Sequence, residues 1–292
     1  MSFYIGRYRD IEKREYNIEV VTPMFLGGSN KKEVELRTAS FKGLLRYWWR
    51  AINPHLVVNN DFSKLFKEES LIFGDAGDTG KSKIKIMIES KSFQPKSYNP
   101  LPHKTNNRFK FSGIPEGYKF KIYLIAPEKI HNLFKFVSYV GAVGKRSRRG
   151  FGSFRIINDK NNQKNDDVLL HLFNLLENLN DNYIKEEKKI KLKNELNPTY
   201  PFLKEIFLGI KSNNFNELLS KIGEASHKYN SDSTGYAKKI NNSSYRLSSP
   251  IYVSLIKERQ YQIIISKLNF YSNLNIKGFG LQKKFIDHLL RN

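Results

Sequence analysis

The most informative segment of this 292-residue chain runs Ser40-Phe41-Lys42-Gly43-Leu44-Leu45-Arg46-Tyr47-Trp48-Trp49-Arg50. Its apolar residues recur at helical spacing and predict one buried helix face, formed by Phe41, Leu44, Leu45, Trp48 and Ile52. Ser40 is a favourable N-cap, because its hydroxyl can accept a hydrogen bond from a backbone N–H of the first turn. Asn53 precedes Pro54 and ends the predicted helix, since a residue before proline avoids the α region.

A second face of the same helix is cationic. Lys42, Arg46 and Arg50 recur every four residues and form what we call the basic stripe. A packed face combined with a continuous cationic face suits contact with a phosphate backbone, although a solvated surface helix would carry the same stripe. Trp49 lies roughly 100° around the helix from Trp48, and it can stack on a nucleic-acid base if its ring is exposed.

The net charge of the chain indicates a polyanionic partner. Its 50 Lys and Arg residues against 28 Asp and Glu give a net charge of +22 at pH 7, which suits nucleic acid or an anionic membrane surface. Residues 1–155 hold 29 Lys and Arg against 14 Asp and Glu, and 11 of the 14 arginines. Because arginine makes bidentate phosphate contacts and stacks on bases, the binding surface is predicted in the N-terminal half.

Composition also limits the possible cellular location and chemistry. No apolar run approaches the roughly 18–20 residues of a membrane span, and the N-terminus is too polar for a signal peptide. The absence of cysteine excludes disulfides, cysteine-ligated zinc and thiol nucleophiles. Asp75 and Asp78 lack a third metal ligand at suitable spacing. We therefore expect a cytoplasmic chain that needs no metal and no cofactor.

A second basic element occupies residues 141–154, which we call the Gly–Arg loop. Four glycines bracket a cluster of four cations, which are Lys145, Arg146, Arg148 and Arg149. Glycine allows unusual backbone dihedrals and close approach to another backbone. The loop is therefore predicted to hold a phosphate backbone, with a merely solvated basic turn as the alternative. We expect it to meet the basic stripe on one RNA backbone.

The order of predicted elements indicates an α+β fold. Residues 15–21, 40–52, 83–89, 118–126, 128–140 and 154–157 read as strand, helix, strand, strand, helix, strand, which is the ferredoxin-like or RRM-like order. A second β-α-β-β-α series, lacking a clear final strand, is predicted at residues 200–210, 215–222, 251–256, 261–267 and 281–290. Helices at 168–179 and 183–196 form an insertion. We predict two ferredoxin-like modules, at residues 1–157 and 158–292.

Several of these segments resemble one known family. Residues 22–28, 36–37 and 41–49, together with the Gly–Arg loop, are similar to motifs of the RAMP superfamily of CRISPR proteins. The tryptophan pair and residues 246–250 are similar to the first-named RAMP subunit family of the type III-B, or Cmr, effector complex. The resemblance covers most of the chain, with gaps at 91–117, 158–196 and 227–245.

The resemblance implies a non-catalytic RNA-binding subunit with several partners. These are the 3′ part of a guide RNA, a target RNA and neighbouring RAMP subunits of the Cmr complex. With both basic segments, it gives the predicted RNA-binding set: Arg37, Ser40, Lys42, Arg46, Trp49, Arg50, Lys145, Arg146, Arg148 and Arg149.

Two other functions stay open at the level of sequence. The first is a metal-independent, guide-RNA-processing endoribonuclease, which needs a general base near a 2′-hydroxyl and a cation on the phosphate. His55 and His103, in loops of the basic half, are the candidate bases, and each can equally be a solvated loop histidine. The second is a protein–protein adaptor whose charge faces RNA held by other subunits.

Overall fold

The structure is a computed structural model that describes residues 10–27, 33–77, 80–104, 108–157, 167–240, 243–272 and 278–291. Helices and antiparallel sheets alternate, which confirms the predicted α+β class. The first half contains β1 (Ile11–Val20), α1 (Thr38–Ile52), α2 (Ser63–Phe73), β2 (Lys85–Glu89), β3 (Lys96–Tyr98), β4 (Phe111–Gly113), β5 (Lys119–Pro127), α3 (Glu128–Val140) and β6 (Phe154–Ile156). The second half contains α4 (Val168–Glu177), β7 (Tyr183–Lys185), β8 (Lys189–Leu192), β9 (Leu203–Ser212), α5 (Phe215–Lys228), β10 (Tyr236–Ile240), β11 (Ser243–Leu247), β12 (Ile251–Lys257), β13 (Tyr261–Leu268) and α6 (Gly280–Leu290).

The first sheet has the order β2-β5-β1-β6, and every neighbouring pair is antiparallel. Along β5, buried side chains alternate with half-buried or exposed ones, so one face of the strand supplies the core. Phe120 of that face lies 5.9 Å, centroid to centroid, from Phe41 of α1, and Phe41 lies 5.5 Å from Phe154 of β6. The predicted apolar face of α1 therefore packs on this sheet, with α3 beside it.

The prediction that Ser40 caps α1 is wrong. The helix begins at Thr38, and Arg37 occupies the N-cap position without a side-chain hydrogen bond to the first turn. Ser40 lies inside that turn, where its N–H donates to the Arg37 carbonyl at 3.1 Å. Arg37 has extended dihedrals (φ −117°, ψ 126°), which suit an N-cap residue of any type. Apolar periodicity could not reveal this start, because Thr38 and Ala39 are exposed and lie outside the apolar face.

The second sheet has the order β12-β13-β9-β8-β7, again antiparallel throughout. The predicted helix at 183–196 is wrong, because these residues form the hairpin β7–β8. Ile190 and Leu192 are buried while Lys189 and Lys191 are half-buried, which is the two-residue alternation of a strand. Strand β8 pairs with β9 and so takes the place where the sequence showed no final strand, with β7 at the edge beyond it.

The two halves share buried surface although their sheets are separate. The largest hydrophobic cluster contains Leu133 and Val137 of α3 together with Tyr252, Ile256 and Ile264 of the second sheet. The Ser254 hydroxyl donates to the Tyr139 carbonyl at 2.6 Å. The predicted module boundary at 158–166 lies outside the described residues and stays a prediction. Over the ranges described above, no helix has the length and apolar character needed to cross a membrane.

Candidate nucleic-acid interface

The basic stripe of α1 faces helix α2. Arg46 and Arg50 both contact the carboxylate of Glu69, whose side chain is only 3% exposed. The Arg50 Nη1 atom lies 3.2 Å from Glu69 Oε1, and Arg46 Nε donates to the same oxygen. Lys42 is half-buried at the start of the stripe, and desolvation, with Arg46 nearby, lowers its pKa. Part of the charge of the stripe is therefore neutralised inside the protein.

A different face of α1 meets the Gly–Arg loop. Ser40, Leu44 and Tyr47 line a cleft of about 340 Å³ whose other wall includes residues 142–144, Ser147 and Arg148. On a helix with roughly 100° per residue, this face lies about 120° from the middle of the basic stripe. The structure thus brings the helix and the loop together, but through the Ser40–Tyr47 face and not through the stripe.

The glycines of the loop allow close approach to the rest of the protein. The Lys145 N–H donates to the Phe25 carbonyl at 2.9 Å, and the Gly152 N–H donates to the Pro23 carbonyl at the same distance. Gly144 has φ +97°, and a Cβ there would lie 2.5 Å from the Phe25 carbonyl oxygen. The backbone that the loop approaches in this structure is therefore its own chain.

The guanidinium groups of Arg148 and Arg149 reach into the second half. Arg148 donates to the Ser249 carbonyl and, at 3.2 Å, to the Tyr47 hydroxyl, and it lies over the rings of Tyr47 and Tyr252. Arg149 donates to the Ile251 carbonyl at 3.0 Å and the Thr234 carbonyl at 3.4 Å. Desolvation, together with neighbouring arginines, lowers the pKa of Arg149 to about 9, so it stays protonated at neutral pH. Both residues connect the two halves.

Arg146 and Lys145 each line a cleft beside the loop. Arg146 has left-handed dihedrals (φ 64°) and lines a cleft of about 730 Å³ between the loop and residues 230–236 and 247–249. Its Nε atom is buried and has no hydrogen-bond partner among the described residues. Burial lowers its pKa. Lys145 is exposed, and its Nζ atom lies 5.2 Å from the centroid of the Phe111 ring. Lys145 is therefore accessible to an anion outside the protein, while Arg146 lines a cleft with its Nε atom buried.

The other predicted residues on α1 divide between surface and core. Arg37 is exposed at the start of the helix. Trp49 is half-buried, and its ring meets Phe73 of α2 edge-on at 6.3 Å. Sequence reasoning missed Glu69, the carboxylate that holds the stripe. Its spacing could have revealed it, because Leu65, Glu69 and Phe73 recur every four residues on the buried side of α2.

The two candidate histidines make internal contacts. His55 Nδ1 lies 3.1 Å from the amide nitrogen of Asn180, which also donates to the Ile52 carbonyl. The His103 ring stacks on His227 at 5.5 Å, and its Nδ1 lies 2.4 Å from the place where a Cβ of Gly223 would be. Burial lowers the pKa of both histidines. Across the described ranges, no three His, Asp or Glu side chains form a group that could hold a metal ion.

Residues 17–155 match the family model of the RAMP superfamily. This RAMP region contains both α1 and the Gly–Arg loop, and the match confirms the resemblance that the sequence motifs indicated. Among curated proteins, the Cmr subunit Cmr1-1 of Pyrococcus furiosus is 29% identical over 185 residues, which are 57% of this chain and 54% of the relative. Subunit Cmr1-2 of the same organism is 24% identical over 176 residues, or 48% of this chain and 93% of the relative. The match therefore spans about half the length of the first of these relatives.

Solved structures show the same fold beyond the RAMP region. The crystal structure of apo Cmr1 from Pyrococcus furiosus has a TM-score of 0.60 at 19% identity, over 95% of this chain and 97% of that one. A chain of the cryo-EM structure of type III-B Cmr-beta bound to cognate target RNA has a TM-score of 0.61 at 11% identity, over 96% of this chain and 100% of that one. At these identities the likeness concerns the fold.

Proposed function

We propose that this chain is an RNA-binding subunit of a type III-B CRISPR ribonucleoprotein. In this role it contacts the 3′ part of the guide RNA, lies near the target RNA and binds neighbouring RAMP subunits. One observation carries the proposal: a chain with a net charge of +22 shares its fold, over 96% of its length, with a chain of a Cmr complex solved with target RNA. A charge of that sign suits a phosphate backbone.

The proposed RNA surface centres on the open side of the Gly–Arg loop. Lys145 and Arg37 are exposed, and Arg146 presents a buried nitrogen that has no protein partner in the part of the chain described here. Arg148 and Arg149 of the loop are half-buried, as are Lys42, Arg46 and Arg50, which lie on a different face of α1. Ser40 and Trp49 complete the set. Contacts of this type to phosphate are largely independent of sequence.

The experiment is a titration of single-stranded RNA with the full chain over a series of salt concentrations. Each phosphate contact steepens the plot of log affinity against log salt by roughly 0.7. Changing Arg37 and Lys145 together to alanine should therefore flatten the slope by roughly 1.4. The matched control changes Lys64 and Lys67, two exposed lysines of α2, and should leave the slope unchanged. Equal slopes in wild type and the Arg37/Lys145 variant would contradict the proposed surface.

Arg148 and Arg149 need a separate comparison because they also join the two halves. Changing both to alanine should weaken binding of unrelated RNAs alike and flatten the slope by roughly 1.4. Changing both to lysine keeps the charge but loses the forked donor geometry. If the lysine variant regains the wild-type salt slope and is still less stable than wild type, RNA binding needs only the positive charge, whereas the junction between the halves needs the guanidinium geometry.

We propose that each half is a ferredoxin-like module, at residues 1–157 and 158–292. For the first half, the sheet order supports this assignment, because the first and third strands of the β-α-β-β-α-β series are central. For the second half, β9, β13 and β12 lie in the order expected of the first three strands, and β8 takes the position of the fourth.

We propose that the chain contributes no catalytic group to RNA cleavage. The contacts of His55 with Asn180 and of His103 with His227 and Gly223 support structural roles. Replacing either histidine with alanine should leave RNA cleavage by the assembled complex unchanged. Loss of cleavage in either variant, with assembly intact, would favour the endoribonuclease instead.

A further inference from the structure

The hairpin β3–β4 carries an exposed aromatic ring between two cations. Phe109 is 59% exposed, and Arg108 and Lys110 on either side of it are exposed as well. The hairpin lies within residues 91–117, a segment to which the family resemblance assigns no role. Single exposed apolar side chains are common on protein surfaces, and Phe66 of α2 is 56% exposed. Phe109 differs from Phe66 in the cations and packed rings that surround it.

The ring of Phe109 is supported by a row of packed aromatic residues. It meets Phe111 edge-on at 4.9 Å, Phe111 meets Phe25 at 5.1 Å, and Phe25 meets Phe151 at 4.9 Å. Phe25 and Phe151 are buried. Gly113 makes this possible, since a Cβ there would lie 2.8 Å from the Phe25 ring. The exposed ring therefore lies at the end of a row of packed rings, and this packing reduces the conformational entropy lost when a flat ligand stacks on it.

Cations from two separate elements surround this ring system. Lys145 of the Gly–Arg loop lies 5.2 Å from the centroid of Phe111. Lys110 and Lys145 both line a cavity of about 370 Å³ that also contains Phe25 and Phe111. Glu33 is the one acidic residue among those lining it. Aromatic surface beside clustered cations suits single-stranded nucleic acid, because bases stack while phosphates bind the cations.

We propose that Phe109 is a stacking platform for one base of single-stranded RNA, and that Lys110 and Lys145 bind the adjacent phosphates. The inference rests on the proposed RNA-binding function and adds the residue that receives a base. Trp49, the aromatic residue that the sequence favoured for stacking, is half-buried against Phe73. Base stacking on an aromatic face tolerates any base, so the platform should not select sequence.

The experiment compares four variants of Phe109 in the full chain with fluorescently labelled single-stranded RNA. Phe109→Ala should weaken binding about 5- to 150-fold, the range expected for one stacked base. Phe109→Leu should weaken it nearly as much, because leucine is apolar but not flat, while Phe109→Tyr and Phe109→Trp should retain wild-type affinity. Phe66→Ala is the matched control: Phe66 is 56% exposed on α2 and its loss should change affinity less than about twofold.

A second RNA separates stacking from charge. An oligonucleotide of equal length that lacks bases keeps the phosphates, so wild type and Phe109→Ala should bind it equally. Changing Lys110 and Lys145 to alanine should instead weaken both RNAs and flatten the salt slope by roughly 1.4.

Three results would overturn the platform. Affinity for base-containing RNA that is equal in Phe109→Ala and Phe66→Ala would remove the stacking role while leaving the proposed function intact. Full rescue by leucine, or loss of assembly with other subunits without loss of RNA affinity, would show that the ring contacts protein. No binding of RNA by the wild-type chain would reject the proposed function together with the platform.

Discussion

At the scale of single residues, the arginines of this chain have distinct partners that their shared chemistry does not reveal. Arg46 and Arg50 bind the carboxylate of Glu69, Arg148 and Arg149 bind carbonyl groups of the second half, and Arg155 binds Glu19 at 2.9 Å. A guanidinium carries five donors, so it can bind protein acceptors and keep donors for phosphate. The number of positive charges in the sequence is therefore an upper limit on the number that can contact RNA.

Glu69 should matter for stability because it is the buried partner of two half-exposed arginines. Replacing Glu69 with alanine should lower the free energy of unfolding by about 1–3 kcal/mol, since hydrogen bonds to charged groups are lost. The measurement is urea unfolding followed by circular dichroism. Lys67→Ala, at an exposed position of the same helix, should change stability by less than about 0.5 kcal/mol. Equal changes in unfolding free energy for the two variants would show that the contacts of Glu69 do not stabilise the fold.

His131 should make stability fall in mild acid. Its ring is fully buried, with Nδ1 2.9 Å from the Tyr16 hydroxyl and Nε2 3.2 Å from the Glu12 carbonyl. Burial lowers its pKa. The unfolded chain therefore binds more protons below the unfolded pKa of about 6.5, and stability present above that pH is lost as the pH falls.

The test compares wild type with His131→Leu in urea unfolding between about pH 8 and pH 5. His55, His103 and His288 also have pKa values lowered by burial, so both proteins should lose stability towards acid. The variant should lose less, because one titrating group is gone. Parallel curves for the two proteins would show that His131 does not titrate in this window.

At the scale of elements, glycine has different roles in the Gly–Arg loop and in α1. Gly150 has φ +83°, and a Cβ there would lie 2.8–2.9 Å from Leu219, Leu255 and Ile222 of the second half. Gly43, in the middle of α1, has nothing within 4 Å of a built Cβ. The first glycine is required by conformation and packing, whereas the second only lowers helix propensity.

Alanine at these two positions should therefore have opposite effects. Gly150→Ala should destabilise the chain by about 1–3 kcal/mol through overpacking and a strained dihedral. Gly43→Ala should stabilise it by about 0.5–1 kcal/mol. Thermal unfolding of both variants beside wild type measures the difference. A neutral Gly150→Ala would show that the loop does not pack against the second half as described.

At the scale of the whole molecule, the two halves pack against each other through buried side chains and ion pairs. Glu19 of β1 binds Arg155 and Lys257, the latter at 3.5 Å, and Arg155 donates to the Lys257 carbonyl at 2.8 Å. Val21, Phe25 and Phe151 of the first half belong to a hydrophobic cluster otherwise made by the second. Neither half therefore covers its own apolar surface completely.

The chain should accordingly unfold in a single transition. Both tryptophans, Trp48 and Trp49, lie in the first half, so their fluorescence reports on that half while circular dichroism reports on the whole chain. The two signals should coincide in urea, which is the signature of two-state unfolding. A fragment of residues 1–157 should bind hydrophobic dye and unfold at lower urea than the intact chain. Two resolved transitions would instead support independently stable modules.

The sequence alone was sufficient for most of the helices and strands, for the cationic character and for the family resemblance. The apolar face of α1, helix α3 and the strand–helix order of both halves follow from spacing, because burial on one face imposes a period on the side chains. The hairpin β7–β8 was missed because its short strands carry many charges, and their period of two was read as helical. Local pattern cannot separate these cases when only four residues alternate.

Tertiary structure alone decided which cations face the protein and which face outward. Glu69 lies 19 residues from Arg50, and Ser249 lies 101 residues from Arg148, so no local pattern could pair them. Phe111, which contacts Phe109, is near in sequence, but Phe25 and Phe151, which continue the row of rings, come from separate segments. A charge or a ring acquires its role from neighbours that the fold brings near, and their separation along the chain hides those neighbours from any reading of periodicity.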